Sequence, residues 1–152
     1  MDGYICELCK TEYPEDYANV ISCADRQIME FIDWIQEQSW YRNTAIVIVG
    51  DHISMNNIFW DDIPEGYNRR TYNCFINVDK EKSDIRAKNR TVYAMDLLPT
   101  TLSALNVQIS GDRLGLGTDL FSDKNTLAEQ SENFEEETVK YSEYYFNQLI
   151  MQ

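Results

Sequence analysis

Thr44-Ala45-Ile46-Val47-Ile48-Val49 runs without a break into Gly50-Asp51-His52. Six β-branched or apolar residues follow one another without the alternation of a half-solvated strand. A run of that kind predicts a strand buried on both faces, as in a parallel sheet covered by helices. At its carboxyl end stand a glycine, a carboxylate and an imidazole. Open α/β sheets bind their ligands at the carboxyl ends of strands. A buried aspartate and histidine there need partners. A carboxylate oxygen and a neutral imidazole nitrogen are both good ligands for Zn²⁺ or Mn²⁺, so a divalent cation would satisfy them. Gly50 allows the close backbone approach that lets adjacent side chains reach one ion. Taken alone the dipeptide is a weak signal, since a strand-end Asp is often a turn residue and a lone His is often structural.

Working outward, Tyr17, Val20, Ile21, Ala24, Ile28, Phe31, Ile32 and Ile35 recur at steps of three and four. This predicts an amphipathic helix from about Glu15 to Gln38, with Glu15 and Asp16 suited to its N-terminus. On the other side, residues 53–69 read as loop, and Tyr72, Cys74, Ile76 and Val78 share one face of a second strand. Residues 79–89 form a polar connection, and Thr91-Val92-Tyr93 reads as a short strand. Asp96 to Leu105 predicts a helix that carries Pro99 in its first turn. Gly111, Gly115 and Gly117 punctuate a loop, and without a strand before and a helix after they are a poor phosphate-binding signal. Asn133 to Met151 reads as a last helix with Tyr141, Tyr144, Tyr145, Phe146, Leu149 and Ile150 as its docking face.

The bulk composition limits the function classes. A chain of 152 residues fits one domain or a large piece of one. With 43% hydrophobic and 12% aromatic residues it is not disordered. A net charge of −13 repels phosphate backbones, which excludes nucleic acid as a partner class. The acids gather near the end: Asp123, Glu129, Glu132, Glu135, Glu136, Glu137 and Glu143 face only Lys124 and Lys140. That is a solvated face before it is a binding patch. No apolar run approaches the ~20 residues of a bilayer span, and no basic segment followed by an apolar one marks a leader. Cys6 and Cys9 make a C-x-x-C, while Cys23 and Cys74 are isolated in sequence and there is one histidine. A structural thiol or disulfide, a metal knuckle and a redox pair stay open for that motif, in that order.

Three segments in order resemble a known family. The first runs from Tyr17-Ala18-Asn19-Val20 through Ala24-Asp25-Arg26 and Phe31-Ile32-Asp33-Trp34-Ile35 into Asn43-Thr44 and the Gly50-Asp51-His52 strand. The second is Asp96-Leu97-Leu98-Pro99-Thr100-Thr101-Leu102, and the third is Gly115-Leu116-Gly117-Thr118-Asp119-Leu120. Together they resemble the late part of sulfatase-like domains of the alkaline phosphatase superfamily, above all phosphoglycerol transferases and lipoteichoic acid synthases; the Cys6-x-x-Cys9 segment also looks like some of these. The resemblance implies a partial alkaline-phosphatase-like α/β sandwich, a few-stranded and mostly parallel sheet flanked by helices. Residues 1–122 would be the C-terminal portion of that domain and 123–152 an acidic helical extension. It further implies a metal-dependent phosphoglycerol transferase, working on an anionic phospholipid head group through a threonine nucleophile. Asp51 and His52 would be metal ligands, with Mn²⁺ first and Zn²⁺, Mg²⁺ or Ca²⁺ as alternatives.

In such proteins the nucleophile, a further acidic ligand and the phosphate-gripping residues lie upstream of the first helix, so no catalytic or substrate-binding residue transfers to this chain. Thr100 and Thr101 fall in a helix and read as packing residues; Asp25 and Asp96 read as structural before functional, and Arg69-Arg70 as a solvated pair before an anion contact. The isolated chain is expected to be inactive and to self-associate. Its parent is expected to be anchored at the extracytoplasmic face of a bacterial cell membrane. A sulfatase or phosphatase, and a non-catalytic interaction module with a vestigial metal site, are the competing readings.

Overall fold

The computed structural model describes residues 4–55, 63–78 and 90–151. The chain divides into two compact units, residues 1–77 and 78–152.

In the first unit α1 spans Asp16–Gln36, close to the bounds the periodicity predicts. Glu15, at φ −90° and ψ 125°, is the residue where extended chain turns into helix. The buried positions are Asn19, Cys23, Ile32 and Ile35. Asn19 is the polar member of this line and it is fully used. Its Oδ1 accepts the Glu12 and Tyr13 amides at 2.8 and 2.9 Å, and its Nδ2 donates to the Tyr13 and Glu15 carbonyls at 2.8 and 3.2 Å. One buried amide side chain thereby fixes the preceding segment against the helix. Ile21, Ile28 and Phe31 of the predicted apolar face stay exposed, and Phe31 stacks on the exposed Trp34 at 5.8 Å between ring centroids.

β1 covers Ile46–Val49 and β2 covers Asn73–Ile76. They pair antiparallel, with Ile46 opposite Ile76 and Val49 opposite Asn73. The expected mostly parallel sheet is therefore corrected. Parallel neighbours require a crossover, usually a helix, and the described residues between Gly50 and Tyr72 contain none. The expectation that β1 is buried on both faces is corrected too. Ile46, Val47 and Ile48 are half-buried and Val49 is 42% exposed, because β2 is the one strand paired with it among the described residues.

In the second unit a 3₁₀ turn, Ala94–Asp96, leads into α2, Leu97–Ala104. A hairpin follows, β3 at Arg113–Leu114 and β4 at Gly117–Thr118. Asp96 joins the two pieces: buried, it accepts the Tyr93 amide at 3.0 Å on Oδ2 and the Thr118 amide at 2.8 Å on Oδ1. Thr100, fully buried, donates to the Asp96 carbonyl at 2.6 Å and accepts the Leu120 amide at 3.0 Å. Gly117 lies against Met95 so closely that a β-carbon there would sit 1.9 Å from the Met95 carbonyl oxygen. The segments Asp96–Leu102 and Gly115–Leu120 thus pack as one unit.

Thr91-Val92-Tyr93 is not a strand. The Thr91 amide donates to Glu129 at 3.3 Å and its carbonyl accepts the Thr126 hydroxyl at 2.8 Å, so side chains take the place of a ladder. The single last helix is also corrected: α3, Leu127–Gln130, and α4, Phe134–Thr138, precede a break at 139–142, and a new turn starts at Glu143. β-branched Thr138 and Val139 propagate a helix poorly. Ser142 then caps afresh, accepting the Tyr145 amide at 3.2 Å. The aromatic docking face of this segment stands exposed, Tyr144 at 73%.

Candidate metal-binding strand end

The site is built by the end of β1. The Gly50 amide donates to the Tyr72 carbonyl at 2.8 Å and carries the pairing one residue past the strand. A β-carbon at Gly50 would approach the Thr71 β-carbon to 3.3 Å and the Tyr72 nitrogen to 3.4 Å, which is why a residue without one belongs here. Asp51 and His52 then leave the ribbon together. The Asp51 Oδ1 accepts the His52 amide at 2.9 Å, and Asp51 Oδ2 lies 3.5 Å from His52 Nε2.

The imidazole has a defined orientation. His52 Nδ1 is 2.8 Å from the Ile53 carbonyl oxygen. A carbonyl only accepts, so the proton of the neutral ring sits on Nδ1 and the Nε2 lone pair faces Asp51. Two electron-rich atoms face each other at 3.5 Å; either a proton on Nε2 or a cation beside both removes the repulsion. Two donors about 2.1 Å from one ion and 90–110° apart would be separated by about 3.0–3.5 Å, so the spacing suits a shared ion.

Both side chains are open to solvent, 88% for Asp51 and 59% for His52. Burial therefore does not force a metal on them. The orientation of the ring is what bears on ligation. No third His, Cys, Asp or Glu forms a group with them among the described residues.

The loop after His52 is held by residues that motif reading passes over. Tyr17 of α1 hydrogen-bonds Ser54 Oγ at 2.9 Å, and Arg69 donates to the Ser54 carbonyl. Arg69 thus supports the loop through the backbone. Asp25 is an exposed position on α1, and Asp96 and Thr100 are the hydrogen-bonding posts of the second unit described above.

The order of these segments and the carboxylate–imidazole strand end define a class. The Sulfatase family model matches residues 4–107, and the chain belongs to that family. Among curated proteins it is similar to phosphoglycerol transferase I of Citrobacter koseri, 31% identical over 76% of this chain and 15% of the relative. It is also similar to phosphoglycerol transferase I of Salmonella choleraesuis, 31% identical over 86% of the chain and 16% of that protein. The Escherichia coli O139:H28 phosphoglycerol transferase I is 30% identical over 92% of the chain and 18% of its own length. The chain therefore spans less than a fifth of the length of the curated relatives it matches. No solved structure matches it.

Proposed function

We propose that this chain is part of a phosphoglycerol transferase in which Asp51 and His52 hold one divalent cation, Mn²⁺ before Zn²⁺, Mg²⁺ or Ca²⁺. The observation that carries the reading is the convergence of Asp51 Oδ2 and His52 Nε2 at 3.5 Å with Nδ1 engaged by a backbone carbonyl. That carbonyl selects the tautomer and orients the ring, as the outer partner of a ligating histidine commonly does. The similarity to phosphoglycerol transferase I supports the choice of reaction.

A bound divalent cation would supply Lewis-acid polarisation of a phosphoryl oxygen and lower the pKa of a coordinated hydroxyl. This chain's own part is positional. Gly50 brings the ribbon end close to Thr71, and Tyr17 and Arg69 hold Ser54, two residues past His52, by its hydroxyl and its carbonyl. The exposure of Asp51 and His52 leaves room for the head group of an anionic phospholipid. A threonine elsewhere in the longer protein would attack its phosphorus and expel the diacylglycerol oxygen, and an acceptor hydroxyl would then displace the threonine. In this reading the whole protein is anchored in a bacterial membrane with the site on the extracytoplasmic side. The chain alone is inactive and self-associates, and residues 123–152 are an extension to the domain.

The test uses the longer gene product. Asp51→Asn and His52→Ala should each lower phosphoglycerol transfer from labelled phosphatidylglycerol by at least about a hundredfold, and lower bound Mn²⁺ with it. Full activity in either variant would remove the ligand assignment. Because the matching family model is that of sulfatases, an aryl sulfate should be assayed alongside. Turnover of the sulfate with no transfer from lipid would favour the sulfatase reading.

A further inference from the structure

Cys23 is isolated in the sequence, but the fold carries it to the C-x-x-C. The segment that Asn19 holds against α1 runs back along the helix and sets Cys6 and Cys9 over the next turn of the same face, where Cys23 is buried. All three are free thiols. The Cys6 sulfur lies 3.6 Å from that of Cys9 and 3.8 Å from that of Cys23, and the three sulfurs lie within 4.8 Å of one another. Zinc–thiolate bonds of ~2.3 Å at tetrahedral angles place neighbouring sulfurs about 3.8 Å apart. The spacing is thus that of ligands around one ion.

N–H donors gather around the sulfurs. The Cys9 amide donates to the Cys6 carbonyl at 3.0 Å, closing a tight turn, and the Cys6 amide points at the Cys9 sulfur at 3.3 Å. Gln27 Nε2 and an Arg26 guanidinium nitrogen approach the Cys23 sulfur at 3.3 and 3.6 Å. The same Arg26 nitrogen donates to the Leu8 carbonyl at 2.5 Å, so one cation ties the C-x-x-C turn to the helix and also faces the sulfur charge.

We propose that Cys6, Cys9 and Cys23 form a thiolate site for one soft divalent cation of the zinc type, separate from the Asp51–His52 pair and serving to lock residues 6–9 onto α1. Three thiol protons leave to buffer as three metal–sulfur bonds form, and water takes the fourth position on the side where Cys6 is exposed. With three thiolates around a dication the site carries one net negative charge, which Arg26 offsets.

The competing use of these cysteines is a disulfide, which an oxidising compartment would favour. The experiment is an anaerobic titration of the reduced, metal-free 152-residue chain with Co²⁺, followed by displacement with Zn²⁺. A sulfur-to-cobalt charge-transfer band should saturate at one equivalent, and Zn²⁺ should abolish it. Cys6→Ser, at an exposed position, and Cys23→Ser should each weaken binding at least tenfold. An Asp51→Asn/His52→Ala double variant should leave the band unchanged, which separates this proposal from the function proposed above. The idea is overturned by a folded chain that gives no thiolate band. It is overturned equally by a Cys6→Ser chain that binds as tightly as the parent, or by a chain isolated without reductant that carries no metal and a disulfide joining two of the three cysteines.

Discussion

Gly117 offers the sharpest stability test, because the obstacle to a side chain there is backbone. Its φ is not in the left-handed region, so alanine costs nothing conformationally, and the whole effect is steric. The added β-carbon would lie 1.9 Å from the Met95 carbonyl oxygen and 2.8 Å from the carbonyl carbon. Ordinary carbon–oxygen contact begins near ~3.3 Å, so the two segments must part by about 1.4 Å. The neighbouring Thr118 amide then moves from 2.8 Å to beyond hydrogen-bonding range of Asp96, leaving a buried carboxylate oxygen short of a donor. Overpacking costs about 1–3 kcal/mol, and a lost hydrogen bond to a charged group about 1.5–3 kcal/mol. Gly117→Ala should therefore lose about 3–5 kcal/mol, a large part of the stability of an ordinary domain. The comparator is Gly115→Ala, where φ is +60° and nothing lies within 4 Å of the new carbon; it should cost only about 1 kcal/mol of backbone strain. Guanidinium denaturation followed by far-UV circular dichroism, with hydrogen exchange at the Thr118 and Leu120 amides, reads both. Fluorescence of Trp34 and Trp40 reports separately on the first unit. The reasoning fails if Gly117→Ala costs no more than Gly115→Ala, or if the Thr118 amide keeps its protection.

Two further perturbations test other contacts. Hydrogen bonding from Arg90 lowers the Glu129 pKa from 4.5 to about 2, helped by the Thr126 and Thr91 amides. A depressed carboxyl pKa contributes stability that is complete above pH 4.5 and is lost as pH falls through about 2. The full conversion is about 3 kcal/mol, and solvent screening at the partly exposed carboxylate reduces it to about 1–2 kcal/mol. Glu129→Gln should remove that acid-side slope in denaturation midpoints measured between pH 2 and 6. Asn19→Ala breaks four hydrogen bonds at a buried position, and should cost about 2–4 kcal/mol. It should also speed limited proteolysis within residues 4–14 and weaken cobalt binding at the cysteines. An unchanged cleavage rate would show that Asn19 does not hold the segment.

α1, β1 and α2 were legible from local pattern alone: steps of three and four, an unbroken apolar run, a proline in a first turn. The sulfatase-like order of the three segments was legible too, and so was Asp51-His52 at the end of a strand. What local pattern could not fix is anything that depends on who comes to meet a residue. The apolar run of β1 is compatible with parallel or antiparallel neighbours, and pairing with β2 decided it. Ile28 and Phe31 share a stripe with Ile32 and Ile35, but only the latter two found cover. Asp96 looked like a helix-start residue, yet its carboxylate reaches 22 positions along the chain to Thr118.

The amino-acid order by itself determined α1, β1, β2 and α2 and the family the chain belongs to, because these are written in short-range periodicity and in motifs that survive without neighbours. It took the folded chain to show that Cys23 joins Cys6 and Cys9, that Asp96 holds the Thr118 amide, and that Gly117 has no room for a methyl group. Each of these is a distance of a few ångströms between atoms of different residues. Such distances are set by how the chain closes on itself, which residue identity at one position does not encode.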